Sequence, residues 1–208
     1  METSLDTILL GVPEPIANMH LPDPDLRDYY KYESRRVFWL NDNVENCAEA
    51  LIRMILNCNA DDKNTPIEKR IPIKLFIDSN GGDMTAMWTI INLIKHSKTK
   101  VITINYCTAY SAAAEILASG HERYALPGTN VMVHSGSCAY SGQADQVEST
   151  KKYFDALSKK TTKQLLDSTK MNPKTFKVKS KVDWFMDEEE ALKNGIIDKI
   201  VEDLDEIL

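Results

Sequence analysis

The chain has 208 residues, 43% of them hydrophobic and 27% charged, with a formal net charge of −6 and a pI near 5.3. That length suits one domain with a substantial core, and the acidic balance argues against nucleic acid as the main partner. No apolar run approaches the roughly 20 residues that a bilayer-spanning helix needs, so no membrane association is expected.

Residues 1–30 read as an irregular N-terminal arm, because Pro13, Pro15, Pro22 and Pro24 interrupt any regular element. Its aliphatic patch Ile8-Leu9-Leu10 reads equally as a contact point or as a stray patch on a loose end. The start, Met1-Glu2-Thr3-Ser4-Leu5-Asp6, has neither the basic start nor the apolar core of a signal peptide. The expected location is the cytoplasm, where Cys47, Cys58, Cys107 and Cys138, lacking any C-x-x-C pair, would be free thiols.

Residues 31–208 read as one α/β domain. Arg36-Val37-Phe38-Trp39-Leu40 is a short strand, and Asn41-Asp42-Asn43 turns the chain into a helix from Val44. Val44, Cys47, Ala48, Leu51, Ile52, Met54 and Ile55 recur at helical spacing and give that helix a core face. A polar loop runs to Arg70, and a second strand covers 71–78. Ser79-Asn80-Gly81-Gly82-Asp83 follows, either a plain turn or a place where backbone approaches a ligand closely. An amphipathic helix from Met84 to His96 leads to a strand over 100–106 and then to an alanine-rich helix that Gly120 ends.

Ser111 stands at that strand-to-helix junction, where it is either an N-cap or a presented hydroxyl beside free helix amides. Strand–helix units recur three times, and ligands in layered α/β proteins gather at the carboxyl ends of strands. Gly81-Gly82 and Ser111 are therefore expected at one end of the sheet.

Arg123–Leu126 and Asn130–His134 are further short strands, the second ending in a histidine of a kind more often found as a satisfied core or rim residue. Ser135–Gly142 is a loop. From about 143 to 171 the chain reads as one long polar helix with a narrow stripe of Val147, Phe154, Leu157, Leu165 and Leu166. Such a helix either packs against a partner copy or is a solvated face. An acidic-start helix at Asp187–Glu190, ended by Gly195, and a last strand over Ile196–Val201 complete the chain.

In order and spacing these blocks resemble the family of the Clp protease's proteolytic subunit, ClpP, from about Arg27 to Val201. The resemblance rests on Ser79-Asn80-Gly81-Gly82, on Cys107-Thr108-Ala109-Tyr110-Ser111-Ala112-Ala113, on Leu126-Pro127 with Met132-Val133-His134, and in part on Gly142-Gln143-Ala144. It continues through Asp183-Trp184-Phe185-Met186, Glu190-Ala191 and Gly195-Ile196-Ile197-Asp198. It implies a ClpP/crotonase-like fold of repeated ββα units with a projecting handle helix.

The resemblance also implies serine endopeptidase chemistry with Ser111 as nucleophile, His134 as general base and Asp183 orienting the imidazole. The amides of Gly81 and Ala112 would form the oxyanion hole, with no metal or cofactor. Implied partners are copies of the chain in heptameric rings, two of which stack into a tetradecamer, polypeptide substrates and an AAA+ unfoldase. The sequence departs from the family at Asn80 (a proline there), at Cys107, Ala112 and Ala113 around the serine, at Ser135-Gly136 after the histidine, and in the N-terminal segment. Two alternatives stay open on the residues: a non-catalytic ring subunit, and a crotonase-type acyl-CoA enzyme. His20, His96 and His121 are rival histidines, Asp145 and Asp198 rival acids, and Lys95, Lys98 and Lys100 the lysines that a Ser–Lys dyad would draw on.

Overall fold

The computed structural model describes residues 32–208; the N-terminal arm, with its prolines, Ile8-Leu9-Leu10 and His20, lies outside the described residues. The first strand, β1 (Val37–Leu40), is followed by α1 (Val44–Asp61), β2 (Ile73–Ser79), α2 (Met84–His96), β3 (Val101–Tyr110), α3 (Ala112–Leu117) and β4 (Glu122–Ala125). The chain continues through β5 (Asn130–Val133), α4 (Ala144–Ser168), α5 (Pro173–Lys179), β6 (Trp184–Asp187), α6 (Glu188–Lys193) and β7 (Lys199–Ile200). No helix among the described residues is long and apolar enough to cross a membrane.

Strands β1, β2, β3, β4 and β7 lie side by side in that order, all parallel. Alternation along the strands gives the sheet two apolar faces. Ile73, Leu75 and Ile77 of β2 face the main core under α1 and α2, together with Leu51, Ile55, Met87, Ile90 and Ile94. Phe76 points the other way, into a smaller cluster with Val37, Ile104, Val201 and Ile207.

Strand β3 organises the site. Its first half pairs with β4 (Ile102↔Glu122 to Asn105↔Ala125), and its last three residues pair with β5 (Thr108↔Asn130 to Tyr110↔Met132). On its other edge the register with β2 slips between Ile77↔Asn105 and Ser79↔Ala109. This is a bulge, of the kind that re-aims a strand beside an active site. Asp78 Oδ1 holds it, accepting from Thr108 N and from Thr108 Oγ1 at 2.7 Å.

The alternation expected to stop at Tyr106 therefore resumes past the bulge, and β3 runs on to Tyr110. Two further departures concern the C-terminal third. The helix α5 is absent from the periodicity reading, although Asn172-Pro173 is a capping residue followed by a first-turn proline, and Asn172 Oδ1 accepts from Lys174 N and Thr175 N. The strand expected over Ile196–Val201 shrinks to β7, because Ile196 and Ile197 are buried in the turn that follows Gly195.

Among the described residues, the long helix α4 is buried most deeply toward its C-terminal end. Gln164 and Leu165 are its buried residues, and Thr161 Oγ1 accepts a 2.9 Å bond from Trp88 Nε1 of α2. The Lys160 ammonium sits 4.0 Å above the same indole.

Candidate active site

Three parallel strands end at one place. β2 delivers the Gly81-Gly82 turn, β3 delivers Ser111, and β5 delivers His134. β6 runs antiparallel to β5 with Val133 opposite Trp184, so His134 and Asp183 leave the pair as neighbours. Ser135 N and Ser135 Oγ both bond to Ser180 O (2.8 and 2.7 Å), which ties the chain after His134 to the chain before Asp183.

Ser111 has φ 52° and ψ −119°, a left-handed conformation uncommon for a residue with a side chain. Its hydroxyl makes no capping bond to α3. Instead Ser111 Oγ lies 2.7 Å from His134 Nε2, while Ser111 N donates to Met132 O at 2.8 Å. A serine on a strained strand-to-helix turn, its hydroxyl taken by an imidazole, is the arrangement of an activated nucleophile. The N-cap alternative has no bond to support it.

Asp183 Oδ1 stands 3.4 Å from His134 Nδ1, an ion-pair distance longer than a hydrogen bond, and the Asp183 side chain is 56% exposed. The structure thus brings all three side chains together, with the serine–histidine leg tight and the histidine–aspartate leg loose.

Behind Ser111 the backbone is crowded. A Cβ on Gly81 (φ +101°) would fall 2.7 Å from Tyr110 O and 2.9 Å from Ser111 Cβ, so only glycine fits. The turn is clamped by α1: Val44 N donates to Gly81 O (2.9 Å), and Glu45 Oε2 accepts from Asp83 N (2.7 Å). Gly81 N is itself engaged by Ser79 Oγ at 3.1 Å. Gly82 lines the cavity beside Ser111 and Ala112, and the Ala112 amide is at the open first turn of α3.

The rivals lie elsewhere. His121 is exposed and accepts from Val101 N; His96 bonds Asn92 O in its own helix. Asp198 pairs with Arg123 at 2.5 Å, Lys95 bonds Gln164 Oε1, and Lys100 pairs with Glu122 at 2.5 Å. All four cysteines are unpaired thiols.

Sequence reasoning missed Glu115 as a lining residue. It sits one helical turn after Ser111, inside the same cavity, and burial pushes its carboxyl up to about 8 against a weaker opposing pull from Lys95. The signal was an acid on the Ser111 side of an otherwise apolar helix.

The family model described as Clp protease matches residues 27–204. The chain belongs to the Clp protease family. In general terms it is a Clp-type serine protease, and its parallel sheet with flanking helices is the Clp protease fold. Clp proteases of this family generally form rings and work with AAA+ unfoldases.

Proposed function

We propose that the chain is a serine endopeptidase that hydrolyses peptide bonds of unfolded proteins and peptides, using Ser111, His134 and Asp183 in a chamber built from copies of itself. The observation that carries this reading is the 2.7 Å contact between Ser111 Oγ and His134 Nε2 on a strained elbow. In the proposed cycle Ser111 Oγ attacks the scissile carbonyl as His134 Nε2 takes its proton. His134 then gives that proton to the leaving amine, and water releases the acyl group by the same path. Asp183 keeps the other proton on Nδ1 and stabilises the imidazolium.

The oxyanion would be held by the Ala112 amide and by the glycine turn. Because Gly81 N already serves Ser79 Oγ, Gly82 N is the more available of the two donors from that turn. Removing one such donor typically costs about 3–4 kcal/mol of transition-state stabilisation. These steps draw on protein groups alone. We read residues 31–208 as one protease domain with α4 as its handle, set in heptameric rings that pair into a tetradecamer. We place it in the cytoplasm, with an AAA+ unfoldase supplying unfolded chains.

A crotonase-type acyl-CoA enzyme would not need the Ser111–His134 contact, which favours the peptidase. The test is labelling of the assembled protein with a fluorophosphonate probe, followed by peptide mapping. Stoichiometric modification at Ser111, lost in Ser111→Ala and in His134→Ala, is the expected outcome. No labelling of an assembled ring would sink the proposal. Peptide cleavage by the purified chain alone would dispose of a purely auxiliary subunit.

A further inference from the structure

The cavity beneath Ser111 has a volume of about 60 Å³ and a divided lining. Met84, Met87, Val133 and Phe176 give it an apolar wall, and Glu115 is the acidic residue that lines it. Glu115 is 8% exposed, and its Oε2 is buried with no hydrogen-bond partner among the described residues. A buried polar atom without a partner is rare and calls for a reason. The groups around it do not supply one. Lys95 of α2 bonds Gln164 Oε1, His134 faces Ser111, and α4 and α5 contribute the neutral Ser158, Thr162 and Phe176.

We infer that Glu115 makes this cavity the receptor for an unbranched basic side chain, lysine, on the residue whose carbonyl Ser111 attacks; the inference rests on the protease reading above. Space supports it. One water-sized group takes about 10–15 Å³ of such a cavity, so its volume corresponds to about four to six such groups, room for a slender lysine stem and less for bulkier arginine or phenylalanine. The methylenes would lie along the apolar wall as an amphipathic stem does. The ammonium, with its several donors, would meet Glu115 with Ser158 and Thr162 beside it.

Chemistry supports it as well. The carboxyl is neutral in the empty pocket, and an arriving cation favours its charged form, so binding would release a proton from Glu115 to solvent. A leucine in the same place would leave the carboxyl unpaired, and a pocket built around a polar group discriminates strongly against analogues that cannot satisfy it. The preference for lysine is therefore expected to strengthen as pH rises toward 8.

The test uses full-length protein and fluorogenic peptides identical except for Lys, Arg, Leu or Phe at that residue, with Ser111 labelling run in parallel. The expected wild-type kcat/KM for Lys exceeds that for Leu by about tenfold or more. Glu115→Gln lowers that ratio by about tenfold, and Glu115→Leu reverses it. A ratio cancels any general loss of activity, and the wild-type profile decides even where a variant fails to assemble. Labelling at Ser111 with Leu, Phe or Arg favoured, or with a ratio unmoved in both variants, overturns the inference alone. Absence of both labelling and cleavage overturns the protease reading and this inference with it.

Discussion

Two residues, one just before the short helix α3 and one within it, define how the site is held. Ser111 occupies a left-handed conformation because its amide is fixed to Met132 O and its neighbour across the turn is a glycine with no side chain to collide with. Such a backbone state costs on the order of 1–3 kcal/mol, sustained by the surrounding packing. Glu115 stores a second cost, in protonation. Its carboxyl is held at about 8 in the folded chain against an ordinary value of 4.5, with desolvation the main cause. Between those pH values the unfolded chain has released the proton while the folded chain keeps it. The unfolded state then binds fewer protons, and stability falls as pH rises across that window. Above about 8 both states are ionised and the loss stops. At about 1.4 kcal/mol per unit, the loss from pH 5 upward is on the order of 4 kcal/mol. Urea unfolding at pH 5 and pH 8.5 should show wild type losing about that much more than Glu115→Gln. Equal losses would mean that the carboxylate is already ionised in the folded protein.

At the level of elements, what the sequence reveals depends on how local the cause is. Helix α2 spans Met84–His96 as its periodicity predicts, because its own apolar stripe and the Asp83 cap, which accepts from Ala86 N, define it. The shared end of the sheet for Gly81 and Ser111 was also legible, since repeated strand–helix units place successive junctions together. The contact between Ser111 and His134 was not: it depends on β5 pairing with the far end of β3 beyond a bulge, a non-local fact that only family resemblance could suggest. The short α5, with Phe176 as its one buried residue, has too little pattern to announce itself. Helix α4 divides the same way. Its stripe foretold a helix, but only the packed structure shows that Leu165, fully buried, anchors it while Tyr153 stays 55% exposed. Leu165→Ala should cost about 2–5 kcal/mol in a thermal or urea melt. It should also loosen the cavity wall that Ser158 and Thr162 provide from the same helix. A cost below about 1 kcal/mol would show that α4 is not held through this residue.

For the whole molecule, the proposed ring and the proposed chemistry meet along the N-terminal half of α4. Tyr153 stacks edge-on against Phe154 with ring centroids 5.3 Å apart, and Phe154 lies 6.2 Å from Tyr140. Tyr140 belongs to the loop that begins just after His134, so this aromatic cluster joins the outward-facing helix to the chain that carries the imidazole. Single exposed apolar residues need no explanation, but a cluster rimmed by Lys151, Lys152 and Asp155 is suited to a partner surface. A partner copy packed there would restrain the 135–142 loop, and with it the orientation of His134 toward Ser111. Assembly would then act on catalysis through position rather than by adding a reacting group. Tyr153→Glu places a charge at the centre of that contact, where an unpaired buried charge is strongly unfavourable. Sedimentation velocity should show the variant as smaller species than wild type. Fluorophosphonate labelling of Ser111 should slow by about tenfold, because a small displacement of a catalytic pair carries a large rate penalty. The intrinsic fold should be nearly unaffected, since an exposed substitution usually changes stability by less than about 0.5 kcal/mol. An unchanged assembly would remove Tyr153 from the interface, and a monomeric wild type that labels at full rate would remove the ring from the mechanism altogether.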